Sequence, residues 1–298
     1  PVIIVIGLVL APTGVNMALG KAGDGSAVLV PEETALIVSM AALVTTVLVS
    51  LLGRGMMRLV PIMSGIAVGY LCSIALGIHD FSKVIAAPWF GVPDFVFPEF
   101  RWEAILFIIP ITLAPAIEHF GDIIAISSVA GKDFLKDPGI KSTMLGDGIA
   151  TMLASFLGGP PNTTYSEVTG AVALTRAFNP GVMTWAAIWA IVLSCVNKLG
   201  AFLSSIPVPV MGGIMILLFG AIMVVGLNTL VRAGEDLMEP RNLAVVALII
   251  IFGVGGMTFN IGSFRLGGIG LAAVTGVLLN LVLPRAVHAH KKVKAKPE

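Results

Sequence analysis

Charge is scarce in this chain of 298 residues. Asp, Glu, Lys and Arg together make up 12% of it, against about 25% in a soluble globular chain. What charge there is nearly cancels, to +1, so no bulk electrostatic attraction to nucleic acid exists. Cysteine is scarcer still. Cys72 and Cys195 both lie in apolar runs, where thiols are inert small hydrophobes rather than partners in a disulfide framework. The chain lacks a His/Cys metal spacing, a P-loop and a G-x-S-x-G elbow. No metal, cofactor or enzyme chemistry is expected. The opening PVIIVIGLVLAP carries no basic segment of the kind that precedes a cleavable signal.

What the chain has in excess is apolar surface. Hydrophobic residues reach 57% and the mean hydropathy is +1.00. A soluble domain of this size cannot hide that much apolar surface in one core. A bilayer removes the problem by acting as the solvent. The chain therefore reads as an all-α polytopic membrane protein whose partner along its length is lipid. It starts at Pro1, in an apolar run and without an initiator Met, and we expect a missing N-terminus.

Apolar segments recur throughout. Residues 1–11 read as the end of a span. Residues 34–53 and 59–79 read as full spans joined by a turn with Arg54 and Arg58. The aromatic and proline-rich loop 80–103 suits an interface. Residues 104–131 are long for one span and short for two at about 1.5 Å per residue, with Pro110 and Pro115 able to break them. Further spans are expected at 142–158, 163–178, 181–205, 209–231, 242–260 and 266–284, ten or eleven in all. The basic tail with Lys291, Lys292, Lys294 and Lys296 predicts a cytoplasmic C-terminus in a plasma or inner membrane. Loops 132–141 and 232–241 then fall inside and 205–209 outside. No internal repeat is evident by eye.

Two stretches carry chemistry. The first, PAIEHFGD at 115–122, sets Glu118, His119 and Asp122 among apolar residues. Glu118 and Asp122, four apart, share a helix face. An ionisable side chain at membrane depth costs roughly 2.5–3.5 kcal/mol on insertion scales, so it faces a cavity or a partner. A substrate or proton site fits; a wet, interfacial helix end is the alternative. The second stretch, GGPPNTTYSEVTG at 158–170, forbids a regular helix at its start and offers an extended polar run, TTYSE, before a short helical segment. That is the pattern of a discontinuous span, tolerated at membrane depth only where it lines a cavity or is buried in protein. A half-helix starting near Glu167 would aim free N–H groups at the membrane centre. Backbone donors with a carboxylate suit a small planar ligand bearing alternating N–H and C=O groups. A purely structural re-entrant loop is the alternative. Asn197, Lys198, Asn228 and Asn260 are explained equally by interhelical hydrogen bonds. His79, His288 and His290 read as solvated.

These residues carry a resemblance. EHFGD at 118–122, GKDFLKDPG at 131–139, PPNTTYSE at 160–167 and the E-x-x-G-x-x-x-x-T-R run from Glu167 to Arg176 resemble the nucleobase:cation symporters of the nucleobase–ascorbate transporter type. They look closest to its bacterial uracil:proton symporters. The likeness runs from about 104 to 284. It implies fourteen spans in two inverted seven-span repeats, with about the first three absent here. The division implied is 1–30, end of the first core-domain half; 31–103, gate spans of the first repeat; 104–206, core spans of the second repeat with the site; 207–284, gate spans of the second repeat; and 285–298, the tail. It implies that 104–131 holds parts of two spans, whereas charge counting prefers one.

By the same resemblance Glu118 matches the principal substrate carboxylate and Glu167 the second. Ser166 and Tyr165 match positions giving amide and packing contacts to the base. A protonated Glu118 would bind the base edge, and proton loss inside would weaken binding, with Asp122 and His119 tuning or relaying the proton. Asp122 stands where some uracil members have histidine and purine members often have aspartate. Glu167 stands where purine members usually have glutamine. Val168 and Thr169 depart from the usual Asn and Ile. The expectation is proton-coupled uptake of a nucleobase, uracil first, with a xanthine or purine permease, or an anion transporter of the same architecture, as alternatives. Two inward carboxylates argue against the anion. A homodimer is possible.

Overall fold

The computed structural model describes residues 1–232, 234–261 and 264–284, without the side chains at 103, 107, 110, 114, 166–167, 170–171, 174, 232, 261 and 264–265. The tail 285–298, on which the orientation rested, lies outside the described residues.

Helices start and stop where local chemistry dictates. Helix α1 is Val2–Ala18, α2 Glu32–Leu52 and α3 Pro61–Ala75. Glu32 and Glu33 stand in the first turn of α2, where a carboxylate meets the positive helix end. Pro61 opens α3, a position whose N–H has no helical partner anyway. A short helix α4, Ser82–Ala86, sits in the aromatic loop; α5, Trp102–Ile111, and α6, Leu113–Ala130, follow. The segment 104–131 is thus two helices meeting at Thr112. Gly131, with φ 67°, ends α6 in the left-handed conformation glycine adopts freely. Helices α7, Ile140–Phe156, and α8, Ser166–Thr175, flank an irregular stretch at 159–165, so the expected break in the span is present.

The expected span 181–205 is corrected. It is two helices, α9, Pro180–Ser194, and α10, Asn197–Ser204, bent by 89° at residues 195–196. Then come α11, Val208–Arg232, and α12, Pro240–Val254. The expected spans 242–260 and 266–284 are also corrected, at their facing ends. Strands β1, Thr258–Ile261, and β2, Phe264–Gly267, form an antiparallel hairpin before α13, Gly268–Val282. Its residues alternate β-branched or aromatic with polar (Thr258, Phe259, Asn260), which favours strand over helix.

Among the described residues, α2 and α11 are long and apolar enough to cross a membrane, or three segments if α9 and α10 count as one bent span. The expected ten or eleven full-length spans are not met by length, because α1, α3, α12 and α13 are apolar helices of only 15–17 residues.

Six helices form the best-packed part: α1, α2, α3, α11, α12 and α13. Its core is Val2, Val5, Ile249, Ala272 and Ala273 on one side and Val38, Ala42, Val210 and Ile214 on the other. Lipid tails are as apolar as leucine, so helices here associate through close packing of small residues. In α1 and α11 that packing is glycine-lined. A Cβ on Gly7 would sit 2.7 Å from the Phe219 carbonyl oxygen, and one on Gly226 2.7 Å from the Ile4 nitrogen. Gly14 approaches Ile216, and Gly212 meets Ala18 backbone to backbone. This register makes α1 and α11 antiparallel. Gly7, Gly14 and Gly20 have counterparts at the same spacing in Gly213, Gly220 and Gly226. The other helices, α5 to α10, pack more loosely, and among the described side chains α7, α9 and α10 hold no buried one.

Candidate functional site

The polar cluster is built on α6. Apolar residues 104–114 lead into it, and residues 118, 119 and 122 project from adjoining turns. His119 is 2% exposed and Asp122 8%; Glu118 is half-buried. The alternative of a wet helix end therefore fails for His119 and Asp122. Burial of such groups is tolerated only with partners, and the partners come from two other elements.

The first is α7. The His119 ring Nε2 lies 3.0 Å from the Thr143 hydroxyl, which in turn donates to the Ile140 carbonyl at 3.1 Å. The other ring nitrogen, Nδ1, is 3.6 Å from a carboxyl oxygen of Asp147. That is too long for a hydrogen bond and close enough for electrostatic coupling. If the Thr143 hydroxyl donates to the Ile140 carbonyl, Nε2 is left to donate to Thr143 and Nδ1 faces Asp147 as the acceptor or, protonated, as an ion-pair partner.

The second is the broken stretch 159–165. The Thr164 hydroxyl donates to a carboxyl oxygen of Asp122 at 2.6 Å. Thr151 on α7 holds the same stretch from the other side, accepting from the Asn162 amide at 3.2 Å and donating to its carbonyl at 3.0 Å. Gly158 makes the entry possible. Its φ is +80° and a Cβ there would lie 2.7 Å from the Val96 carbonyl. Pinned between α6 and α7, the stretch stays extended through Tyr165 (φ −125°, ψ 113°), and α8 begins at Ser166. The free N–H groups of a helix start carry partial positive charge. They are the donors this arrangement offers to an acceptor edge.

Asp122 is thus tied to the chain two residues before the start of α8, His119 faces α7, and Glu118 lies one turn before Asp122 on the same helix. The Tyr165 side chain is 66% exposed and is not drawn into the cluster. The side chains of Ser166 and Glu167 lie outside the described residues. Sequence reading missed Thr143 and Asp147, and took Thr164 only as part of the extended polar run. The signal for Asp147 was present, an ionisable residue between Gly146 and Gly148 in an apolar helix, and by the logic applied to Glu118 it marks a site. Thr143 carries no such mark, since hydroxyls are common in apolar helices. His79, read as solvated, is corrected: its ring is half-buried, with Nε2 2.8 Å from the Tyr70 hydroxyl and its face against Phe81.

Comparison with known proteins decides the family. Residues 1–262 match the profile of a permease family (Xan_ur_permease). The chain belongs to that permease family. It is 58% identical over 286 residues to a probable uracil permease of Pasteurella multocida, covering 96% of this chain and 67% of that protein. It is 44% identical to the uracil permease of Bacillus caldolyticus and 40% identical to that of Escherichia coli, covering 66% and 65% of those proteins. The chain spans about two thirds of its curated relatives' length. Membership in a permease family sets it among membrane transporters rather than enzymes.

Proposed function

We propose that this chain is the larger part of a secondary transporter for a nucleobase, uracil ahead of xanthine, driven by protons. The observation that carries the reading is the hydrogen bond from Thr164 to Asp122, which holds a broken span against α6, the helix that carries Glu118, in a chain whose relatives are named uracil permeases. A planar base has donors and acceptors alternating along its edge. Glu118 and Glu167 take its N–H groups, the amides at Ser166 and beyond take a carbonyl, and Tyr165 packs against the ring. Glu118, with His119 and Asp122 beside it, carries the coupled proton, and Asp147 behind His119 extends that chain of groups.

The equal glycine spacing, from Gly7 in α1 to Gly20 just past its end and from Gly213 to Gly226 in α11, and the antiparallel packing of the two helices support two inverted repeats. In that reading the six-helix bundle is the gate and α5 to α10 carry the substrate; α1, which the resemblance set with the core half at 1–30, goes instead with the gate because it packs along α11. The tail 285–298 faces the cytoplasm.

The test is uptake by the full chain in proteoliposomes with an imposed pH gradient. Radiolabelled uracil should accumulate, unlabelled uracil should compete better than xanthine, and Glu118→Gln should abolish proton-driven uptake while leaving the protein in the membrane. Wild-type uptake by that variant would sink the assignment.

A further inference from the structure

The loop after α3 is expected, as an aromatic, proline-rich segment, to lie against the membrane interface. Instead its first part is fastened to α10, the short helix beyond the 89° bend. The Lys198 ammonium donates to the carbonyls of Val84 at 2.9 Å and Ile85 at 3.1 Å. These are last-turn carbonyls of α4, which a helix leaves without partners and which a cation satisfies best. The same ammonium stands 5.5 Å from the centre of the Trp89 ring, within cation–π range. Two residues on, the Gly91 amide donates to the Cys195 carbonyl at 3.0 Å, at the bend itself. A Cβ on Gly91 would run into the end of the Asn197 side chain, which would have to swing aside, so the loop lies close against the bend. On the other flank the Tyr70 hydroxyl, near the end of α3, reaches the Ser205 hydroxyl at 3.2 Å, and its ring packs on Phe202. Helix α10 is thus gripped by α3 and by the loop leading away from it.

Sequence alone gave no role to Lys198. A lysine in an apolar helix could simply snorkel to water. Here it is half-buried and spends its charge on backbone carbonyls more than a hundred residues away. We propose that Lys198 is a positioning residue of the transport cycle: it fastens the linker 79–91 to α10, so that linker and α10 move as one body and the bend at 195–196 is the pivot. The linker joins the six-helix bundle to the helices bearing the polar cluster. A loosened linker would leave the site intact and blunt the transmission of its movement. The transport half of this inference rests on the function proposed above; the fastening itself does not.

Lys198→Met keeps the apolar stem and removes the ammonium; Lys198→Arg keeps the charge and offers two donors. Both are made in the full chain, in proteoliposomes. Chymotrypsin cleavage after the exposed aromatics Trp89, Phe90, Phe95 and Phe100 reads the fastening without reference to any substrate. Lys198→Met should raise the cleavage rate at least about fivefold, and Lys198→Arg should restore most of the protection. An unchanged rate overturns the fastening. Uracil uptake reads the second half. Lys198→Met should lower the maximal rate about tenfold, with the Kd for uracil within about twofold of wild type. A weakened Kd with an unchanged maximal rate overturns the positioning role. If the wild type fails to move uracil, the substrate reading fails while the cleavage result still judges the fastening. Should Lys198→Met fail to reach the membrane, Trp89→Ala, which loosens the linker from its own side, is judged by the same two outcomes.

Discussion

Thr164→Val asks whether the bond between α6 and the broken span shapes the binding site. The change is close to isosteric and removes only the donor. At 2.6 Å from a carboxyl oxygen, on a residue 8% exposed, the bond lies at the strong end for a hydroxyl donor. Net contributions run about 0.5–1.5 kcal/mol for neutral partners and 1.5–3 for charged ones. Thr151 still holds the stretch at Asn162, and Asp122 has a further interaction, so collapse of the segment is not expected. Taking about 1.5 kcal/mol, and about 1.4 kcal/mol per tenfold change, uracil Kd should weaken roughly tenfold. The cost falls on binding because the amides at the start of α8 lose their set position. Thr164→Ser, which keeps the donor, should stay within about threefold of wild type. Isothermal calorimetry on the purified full chain measures both, with thermal unfolding as the check on integrity. A Thr164→Val protein that binds within twofold of wild type would refute the idea that this bond shapes the site.

Two further outcomes follow from the packing and the linker. Gly212→Leu should abolish recovery of monodisperse protein, because the added side chain meets the backbone of Met17 and Ala18, whereas Gly220→Leu on the same helix meets nothing within 4 Å and should be recovered as wild type; size-exclusion yield separates them. The Ser82 amide and hydroxyl donate to Asp80 at 2.8 and 2.7 Å, and these bonds, the amide first, hold the Asp80 carboxyl below its ordinary range. A depressed folded pKa means the stabilisation is present above the unfolded pKa, about 3.9, and is lost as pH falls through the lower folded value. Amide exchange over 82–86, corrected for intrinsic rate, should therefore accelerate as pH falls through that value, and Asp80→Asn, which removes the titrating carboxyl, should remove the step; an identical profile in the variant would refute it.

How far the chain could be read depended on which physical signal each feature leaves. Sparse charge and long apolar runs announce the solvent, so the membrane class was legible from composition. Gly158, Gly159, Pro160 and Pro161 announce the broken span, because each restricts the backbone whatever surrounds it. The bend at 195–196 left no such mark. Neither Cys195 nor Val196 breaks a helix, and what turns the chain is tertiary: the Gly91 amide on the Cys195 carbonyl and the Lys198 clasp. The hairpin was masked by the hydrophobicity on either side. Its alternation, Thr258 to Ile261, is only four residues long and lies between two long apolar runs that outweigh it in any window. His79 looked solvated because a loop position carries no record of the tyrosine nine residues earlier that folds back on it. The glycine repeat between α1 and α11 was visible in principle, but its meaning depends on the antiparallel contact.

The division of labour between the two sets of helices has a physical basis. Where α1 meets α11, backbones approach until no Cβ fits at Gly7, Gly212 or Gly226. Contacts of that kind cannot slide, because packed interfaces are bistable rather than continuously deformable. The polar cluster is held otherwise, by hydrogen bonds taken one or two at a place between elements: Asp122 to Thr164, His119 to Thr143, Thr151 to Asn162. Each is worth about 1 kcal/mol or a little more and can be exchanged for a bond to substrate. Among the described residues the joint between the sets holds the polar contacts of Tyr70 to Ser205, Lys198 to the end of α4, and Gly91 to Cys195. A solute site that must face two solutions in turn needs that order of stiffness: a frame that does not yield, a site whose bonds are exchangeable, and a joint that bends at one place. Substitutions should sort accordingly. Those in the glycine seam cost folded protein, those around Asp122 cost affinity, and those at Lys198 cost rate.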